Sequence, residues 1–298
     1  MTRSGALARV ILATTILLSF VASAAAKDEK ITETPRLIVR DRKHLLSQER
    51  FELLTQEADR TLLNILGIWS IGPKIQKLGK IRLEVTAPPL KNASGAVFYW
   101  SKESGHRVRS VRLYGIDAQS PRGLAHKLTV ALFPNRDKLI RNMMGIYSEK
   151  LLGNPNSFPM CGFSSDTWVQ GLLQLKSNVP LSRLGPDHTG WGMKFQNKEP
   201  VVLDQTRRHA AYAEAGSFGE YLIRTYGINT MKQFAHLSYK KERPWKEAFG
   251  LSLDDLEADW LRYLNSQIKA NAKEVATLQR LIKENSDTAC ANARRVAQ

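Results

Sequence analysis

His126 is the residue whose surroundings come nearest to a catalytic motif, in the segment His126-Lys-Leu-Thr-Val130. On a helix, the pattern His-Glu-x-x-His places two zinc ligands on one face, with the Glu beside them as general base. Here Lys127 stands where the base would be, and Val130 stands where the second ligand would be. Lysine could replace that base only if its pKa were greatly lowered. The segment therefore retains one of the three groups that this chemistry uses.

The helix that carries His126 is predicted to begin at Ser120 as N-cap and to end near Leu132, and Asp137 is predicted to cap the next helix, as far as Gly153. Further helices are predicted at 166–175, 204–225, 229–239, 252–264 and 265–284. Upstream, a helix capped by Ser47 and strands at 36–40, 80–85, 96–100 and 107–113 are predicted, with residues 27–35 loose and 176–203 irregular. The predicted fold class is α+β, with a small β-rich lobe before a larger helical lobe.

The fourth of these strands, at 107–113, has an uneven pattern. Its apolar phase slips between Val108 and Val111. Because successive strand residues point to opposite faces, such a slip predicts a β-bulge.

The first 26 residues have the pattern of a secretory signal peptide. Arg3 and Arg9 precede an apolar stretch at 10–21, and small residues ending in an A-x-A pattern follow it. The stretch is short for a membrane anchor, so we expect cleavage, after either Ala24 or Ala26. The predicted organisation is a signal peptide at 1–26, a β-rich lobe at 27–119, a helical lobe at 120–284 and a tail at 285–298.

The chain is strongly basic, with a formal net charge of +16 that falls to +14 when Arg3 and Arg9 leave with the signal peptide. Excess positive charge favours contact with an anionic cell-wall or lipid surface. The basic residues are spread along the chain without interleaved aromatic residues, and export takes the protein away from nucleic acid, so nucleic acid is a disfavoured partner. Composition alone assigns neither an oligomeric state nor a ligand.

Cys161 and Cys290 are the two cysteines of the chain. In an oxidising compartment they could form one disulfide that joins the C-terminal tail to the body of the protein. Two free thiols are the alternative. Because the sequence has no Cys-x-x-Cys pair, the cysteines do not predict a metal site.

Two stretches in the last third of the chain carry a resemblance to a known family. They read Tyr212-Ala-Glu-Ala-Gly216-Ser217-Phe218 with Tyr221-Leu-Ile-Arg-Thr-Tyr226-Gly227, and Gly250-Leu-Ser252-Leu with Leu256-Glu257-Ala-Asp-Trp260-Leu-Arg-Tyr-Leu264. These stretches resemble YxxSGSFxxYLxxxYG and GxSLxxLExxWxxYL in the helical part of the peptidase MA-like family, a branch of the gluzincin zinc peptidases. The resemblance continues more loosely upstream, to about residue 36.

Packing accounts for these stretches without any chemistry. The small residues Gly216 and Ser217 are predicted to let neighbouring helices approach closely. The predicted core anchors are Phe218, Leu222, Trp260 and Leu264.

The resemblance implies a zincin-like fold, in which an edge strand lies beside the His-bearing helix and pairs with an extended peptide. The strand at 107–113 precedes that helix, as in a zincin active site. His126 matches the first zinc ligand, Lys127 the general base, and Val130 the second ligand. Asn142 matches the third ligand, or Met144 if the alignment shifts by two residues. A catalytic zinc uses three protein ligands, so the resemblance implies no catalytic residue, no metal ligand set and no cofactor here.

Three hypotheses for function remain. The first is a non-catalytic exported protein whose former active-site cleft binds a peptide or protein partner, with Lys127 making the cleft floor positive and suited to an anionic group. The second is an active zinc metallopeptidase whose rearranged site still uses His126. The third is a binder of anionic cell-wall or lipid surfaces. The sequence favours the first, because all but one of the catalytic positions have changed.

Overall fold

A mixed sheet and a larger helical region follow one another in the computed structural model, which describes residues 29–72, 79–89, 95–103, 105–121, 123–196 and 199–298. The strands are β1 (Lys30–Glu33), β2 (Leu37–Asp41), β3 (Ile81–Thr86), β4 (Gly95–Glu103), β5 (His106–Tyr114), β6 (Met193–Gln196) and β7 (Glu199–Val202). The helices are α1 (Gln48–Ile68), α2 (Ile116–Gln119), α3 (Leu124–Leu132), α4 (Lys138–Leu152), α5 (Ser165–Gln174), α6 (Gln205–Tyr226), α7 (Ile228–Leu237), α8 (Trp245–Phe249), α9 (Leu253–Gln267), α10 (Ala272–Glu284) and α11 (Ala289–Val296). The α+β class and the order of sheet and helices are as predicted.

The predicted signal peptide at 1–26 lies outside the described residues. Within the described part of the chain, none of the helices combines the length and the apolar character that crossing a membrane requires.

The N-terminal sheet has the strand order β1-β2-β3-β5-β4. Strands β2, β3 and β5 run parallel to one another, and β1 and β4 pair antiparallel at the two edges. One face is apolar and packs against the helices; its buried residues are Leu37, Val39, Ile81, Leu83, Val85, Val111 and Leu113. On the other face, Arg82 forms an ion pair with Glu103, and the Tyr99 hydroxyl donates to Glu84. The sheet therefore presents its apolar side to α1 and α3.

The predicted bulge in β5 is wrong, and so is the expectation that this strand is the edge strand. β5 lies inside the sheet, and its pairing with β4 is continuous from Gly95 opposite Tyr114 to Glu103 opposite His106. The strand alternates regularly between the two faces of the sheet because Arg109 lies on the apolar face, together with Val111 and Leu113. Its buried guanidinium donates to the carbonyl oxygens of Ala131, at 3.4 Å, and Gly79, at 3.1 Å. The edge strand beside α3 is β4.

Two predicted helix starts are confirmed, and one is wrong. The Ser47 side chain caps α1, and the Asp137 side chain caps α4 by accepting from the Leu139 amide. The helix predicted from Ser120 begins instead at Leu124, and Ser120 ends the short helix α2. The residue before α3 is a glycine, which has no side chain to serve as a cap. The start of α3 must therefore be fixed from elsewhere in the fold.

Helix α4 is held close to α6 by two glycines of α6. A Cβ atom on Gly216 would lie 2.7 Å from both Ile146 Cγ2 and Ser165 Oγ. A Cβ atom on Gly219 would lie 2.7 Å from Met143 Cβ. Since real Cβ atoms do not approach so closely, the prediction that Gly216 permits close helix packing is confirmed.

Ser217 links three helices through its small hydroxyl. Its O–H donates to Asp166 Oδ1 at 2.6 Å, and its oxygen accepts from Trp260 Nε1 at 2.9 Å. The predicted core anchors are all at most 2% exposed: Phe218, Leu222, Trp260 and Leu264. The second stretch of the resemblance thus packs against the first.

Several elements were not predicted. Strand β1 forms within the segment expected to be loose, α8 lies between two predicted helices, and the region 176–203 contains the hairpin of β6 and β7 with 3₁₀ turns at Leu181–Arg183 and Thr189–Trp191. The helix predicted at 265–284 begins at 272, because α9 continues to 267.

The C-terminal tail is folded onto the body of the protein. It contains α11, whose Ala289 and Ala293 side chains are buried. A disulfide joins Cys161 to Cys290 across 129 residues of sequence. Arg294 Nε also donates to the carbonyl oxygen of Asn156 at 2.6 Å. The tail is thereby joined to the 153–163 loop by a disulfide and a hydrogen bond.

We predict that Gly216→Ala destabilises the protein by about 1–3 kcal/mol, because the new methyl group must displace α4 or α5. Gly67→Ala is the matched control, since its Cβ would meet nothing within 4 Å on the exposed side of α1. The control should be neutral or stabilising by up to about 1 kcal/mol. Urea unfolding of both variants measures the difference, and equal stabilities would contradict the close packing of α4 and α6.

Candidate functional site

His126 and Asn142 face each other between α3 and α4. His126 Nε2 lies 3.0 Å from Asn142 Oδ1, and both residues are buried. Burial, reinforced by the charge of Lys127, holds the pKa of His126 well below its usual value. The imidazole is therefore neutral, and its Nε2–H donates to the amide oxygen. Of the two candidates for the third-ligand position, Asn142 contacts His126, whereas Met144 is buried in the hydrophobic core.

The imidazole packs closely against a glycine of α4. A Cβ atom on Gly145 would lie 2.1 Å from His126 Cδ2. Any larger residue at 145 would push the ring away from Asn142. The pairing of His126 with Asn142 is consequently built into the close contact of the two helices.

The side chains here do not fit a catalytic zinc. His126 Nε2 is occupied by the amide of Asn142, and Val130 has no donor atom and is 3% exposed. Within the described ranges, no three His, Cys, Asp or Glu side chains are grouped as metal ligands are. Since zinc in proteins prefers thiolate, imidazole and carboxylate donors, this position offers one ligand that is already engaged.

Lys127, at the position of the general base, is half-buried and has a strongly perturbed pKa. Burial, together with the charges of Arg141 and Arg208, lowers the pKa of Lys127 to about 7. Glu149 and Asp117 act in the opposite direction. The fold therefore lowers the pKa of Lys127, which a lysine in place of the general base would require. Two cations and two carboxyl groups thus act on Lys127 in opposite directions.

Glu149 replaces the missing cap of α3. This α4 residue is 3% exposed, and its Oε2 accepts from the His126 amide at 3.0 Å. Burial raises the pKa of Glu149 to about 7, although hydrogen bonds from α3 amides oppose the rise. A cavity of about 260 Å³ adjoins this carboxyl and is lined by Arg50 and Arg60, among others. The start of α3 is thus fixed by a carboxyl group 23 residues further along the chain.

Aromatic residues form the wall of the site opposite α3. The Tyr212 ring lies 6.3 Å from His126, 5.1 Å from Trp191 and 5.2 Å from Phe158, measured between centroids. The Arg208 guanidinium lies 4.6 Å from the Phe158 ring. Phe158 belongs to the loop that the disulfide anchors. The site therefore combines a neutral imidazole with aromatic rings and the cationic guanidinium of Arg208.

Four residues of this site were not predicted as site residues: Arg141, Glu149, Arg208 and Tyr212. A partial signal for two of them is in the sequence, since Arg208 and Tyr212 are four residues apart and share one face of α6. Tyr212 stands in the first stretch of the resemblance, where packing alone was inferred. The contribution of Glu149 depends on a contact between two helices, which helical periodicity does not reveal.

Comparison with known proteins adds no family. No family model matches the chain, and no curated protein or solved structure is significantly similar to it. The resemblance to the peptidase MA-like family therefore stays a prediction from the residues themselves.

We predict that Glu149→Gln flattens the dependence of stability on pH between 4.5 and 7. The pKa of Glu149 rises from 4.5 to about 7 on folding, so the folded protein holds a proton that the unfolded chain releases. Stability accordingly falls as the pH rises through this range, by at most about 3 kcal/mol for this group. Glutamine keeps an acceptor for the His126 amide and cannot titrate.

Urea unfolding of Glu149→Gln across this pH range measures the effect. Glu284→Gln, on an exposed face of α10, is the control and should keep the slope of the unaltered protein. An unaltered slope in Glu149→Gln would show that this carboxyl is not the group that titrates.

Proposed function

We propose that this protein is an exported, non-catalytic relative of the gluzincin peptidases that binds an extended peptide in the cleft beside α3. The hydrogen bond between His126 Nε2 and Asn142 Oδ1 carries the proposal. It brings together the positions matched to the first and third zinc ligands, and it uses the nitrogen that would face a metal. The arrangement supports a zincin-like scaffold in which a hydrogen bond between two side chains takes the place of the metal ion.

The lowered pKa of Lys127 does not by itself restore hydrolysis. A zinc ion lowers the pKa of bound water from about 15.7 to about 7. Without the metal, transfer of a proton from water to an amine of pKa about 7 is uphill by about nine pKa units, or roughly 12 kcal/mol. This difference exceeds the typical contribution of a single general base, about 10²–10⁴-fold in rate. Binding without cleavage is the outcome that these magnitudes favour.

Strand β4 supports the choice of a peptide as ligand. It forms the edge of the sheet next to α3, and within the described part of the chain its outer side pairs with no other strand. An edge strand of this kind accepts an extended peptide through main-chain hydrogen bonds. Trp100 on β4 is 42% exposed, with the Arg107 guanidinium 4.5 Å from its ring. A peptide paired with β4 would run along the cleft past α3.

We predict that the purified protein, incubated with zinc and then dialysed, retains far less than one equivalent of metal. Restoring the matched ligand set with Lys127→Glu, Val130→His and Asn142→Glu together should give stoichiometric zinc, because the scaffold already places 126 against 142. Elemental analysis measures both proteins, with circular dichroism to check that the variant is folded.

One result would contradict this prediction and the proposed function. Stoichiometric zinc in the unaltered protein, lost in His126→Ala and accompanied by peptide cleavage, would favour the active metallopeptidase with a rearranged site.

We predict that an uncharged extended peptide, acetyl-(Thr-Val)₃-amide, shifts the backbone amide resonances of β4 in nuclear magnetic resonance spectra. The physical reason is the formation of main-chain hydrogen bonds at the sheet edge. The control peptide carries an N-methyl group on every backbone amide and so lacks main-chain donors on both edges. Equal shifts with both peptides would exclude strand pairing as the mode of binding.

A further inference from the structure

Three cationic side chains from three helices form a cationic rim around His126. Lys127 extends from α3, Arg141 from α4 and Arg208 from α6, and each is half-buried, so that solvent still reaches it. The charges of Arg141 and Arg208 both act on Lys127. The Arg208 guanidinium lies 5.9 Å from the Tyr212 ring, which in turn lies 6.3 Å from the ring of His126. Bringing like charges together costs free energy, and the fold tolerates this cost beside His126.

The carboxylates nearby are engaged elsewhere or lie beyond contact distance. Asp137, which acts on Arg141, forms an ion pair with Arg243 at 2.7 Å. Glu149, which acts on Lys127, accepts from the first amides of α3. Among the described residues, no carboxylate lies within 4 Å of Lys127, Arg141 or Arg208. The positive charge of the cluster is therefore only partly balanced by the protein.

The donors of the two arginines are not all used within the protein. Among the described residues, Arg208 Nε has no hydrogen-bond partner, and its Nη1 donates to Gln205 Oε1 at 3.2 Å. Arg141 Nη1 donates to the carbonyl oxygen of Asn135 at 3.4 Å, which is a long contact. A guanidinium presents paired donors that match the two oxygens of a carboxylate. The cluster can therefore bind one such group with charge-assisted hydrogen bonds.

We propose that Lys127, Arg141 and Arg208 form a subsite for a carboxylate of the bound peptide, either its C-terminal carboxylate or an acidic side chain. This proposal rests on the proposed function in taking the ligand to be a peptide. The rings of Tyr212, Phe158 and Trp191 adjoin the cluster. They offer an apolar surface to the part of the ligand that precedes the carboxylate, so that the subsite selects an anionic end beside an apolar body.

Two matched pairs of small probes test the proposal and separate the two sources of the carboxylate. Acetyl-phenylalanine and its amide differ only in the C-terminal carboxylate, and acetyl-glutamate α-amide and acetyl-glutamine α-amide differ only in the side chain. Titrations are followed through the backbone amide resonances of the full mature chain. We expect at least one carboxylate probe to shift the resonances around 127, 141 and 208 and to bind about tenfold more tightly than its amide partner.

Variants then locate the subsite. Arg208→Gln and Lys127→Gln should each weaken carboxylate binding by about tenfold and leave the weak binding of the amide probes unchanged. Arg280→Gln removes one positive charge from an exposed face of α10 and should leave carboxylate binding unaltered. Should a variant not fold, the probe pairs measured on the unaltered protein still give the answer. The proposal is overturned if amides bind as tightly as carboxylates, or if Arg280→Gln weakens binding as much as Arg208→Gln.

Failure of this proposal can be told apart from failure of the proposed function. If the uncharged peptide shifts the β4 resonances while the carboxylate probes show no preference over amides, peptide binding stands and the subsite is wrong. If the carboxylate probes shift the rim but no peptide affects β4, the subsite stands and pairing with the sheet edge is wrong.

Discussion

The close approach of α4 to its neighbours on both sides is the constraint on which the site depends. On one side Gly145 receives the ring of His126, and on the other side Met143 and Ile146 of α4 lie against the glycines of α6. A Cβ atom at any of these glycines would lie 2.1–2.7 Å from a neighbouring side chain, so the packed groups would have to move apart. Because α3, α4 and α6 are so near, residues from all three reach the same small volume.

The short helix α3 depends on other elements at both of its ends. Its first amides donate to Glu149 from α4, and near its last turn the Ala131 carbonyl accepts from Arg109 of β5. The Glu149 carboxyl group satisfies amides at the N-terminus, and the Arg109 guanidinium complements the negative end of the helix dipole at the C-terminus. A helix of nine residues is too short to be stable alone, so these two contacts help to fix the positions of His126 and Lys127.

Local sequence patterns predicted the structural features that depend on residues close together in the chain. The caps by Ser47 and Asp137, the burial of Phe218 and Trp260, and the order of sheet and helices all follow from short-range rules. The predictions were wrong where a feature depends on a residue far away in the sequence. The start of α3 depends on Glu149, the strand phase at Arg109 depends on two remote carbonyls, and the folding of the tail depends on the disulfide and on packing against the body.

The same distinction applies to the site. The mismatches at Lys127, Val130 and Asn142 could be read from the sequence, because a motif specifies residue types at fixed spacings. The lowered pKa of Lys127 and the cationic rim could not, because they arise from Arg141 and Arg208, which only tertiary packing brings to α3. Sequence alone thus indicated a loss of chemistry, whereas the fold shows what surrounds the altered residues.

The residues at the altered positions form a consistent set for a site without metal. A neutral imidazole buried between helices needs an acceptor for its Nε2–H, and the Asn142 amide supplies one without introducing a charge. A glutamate there would place an unpaired carboxylate in the same buried space, at a cost that a zinc ion would otherwise offset. Val130 extends the buried apolar surface of α3. A histidine at this position would need other hydrogen-bond partners for its ring nitrogens if no metal were bound. In the proposed function, the lysine and arginines of the cationic rim supply positive charge to a ligand without activating water.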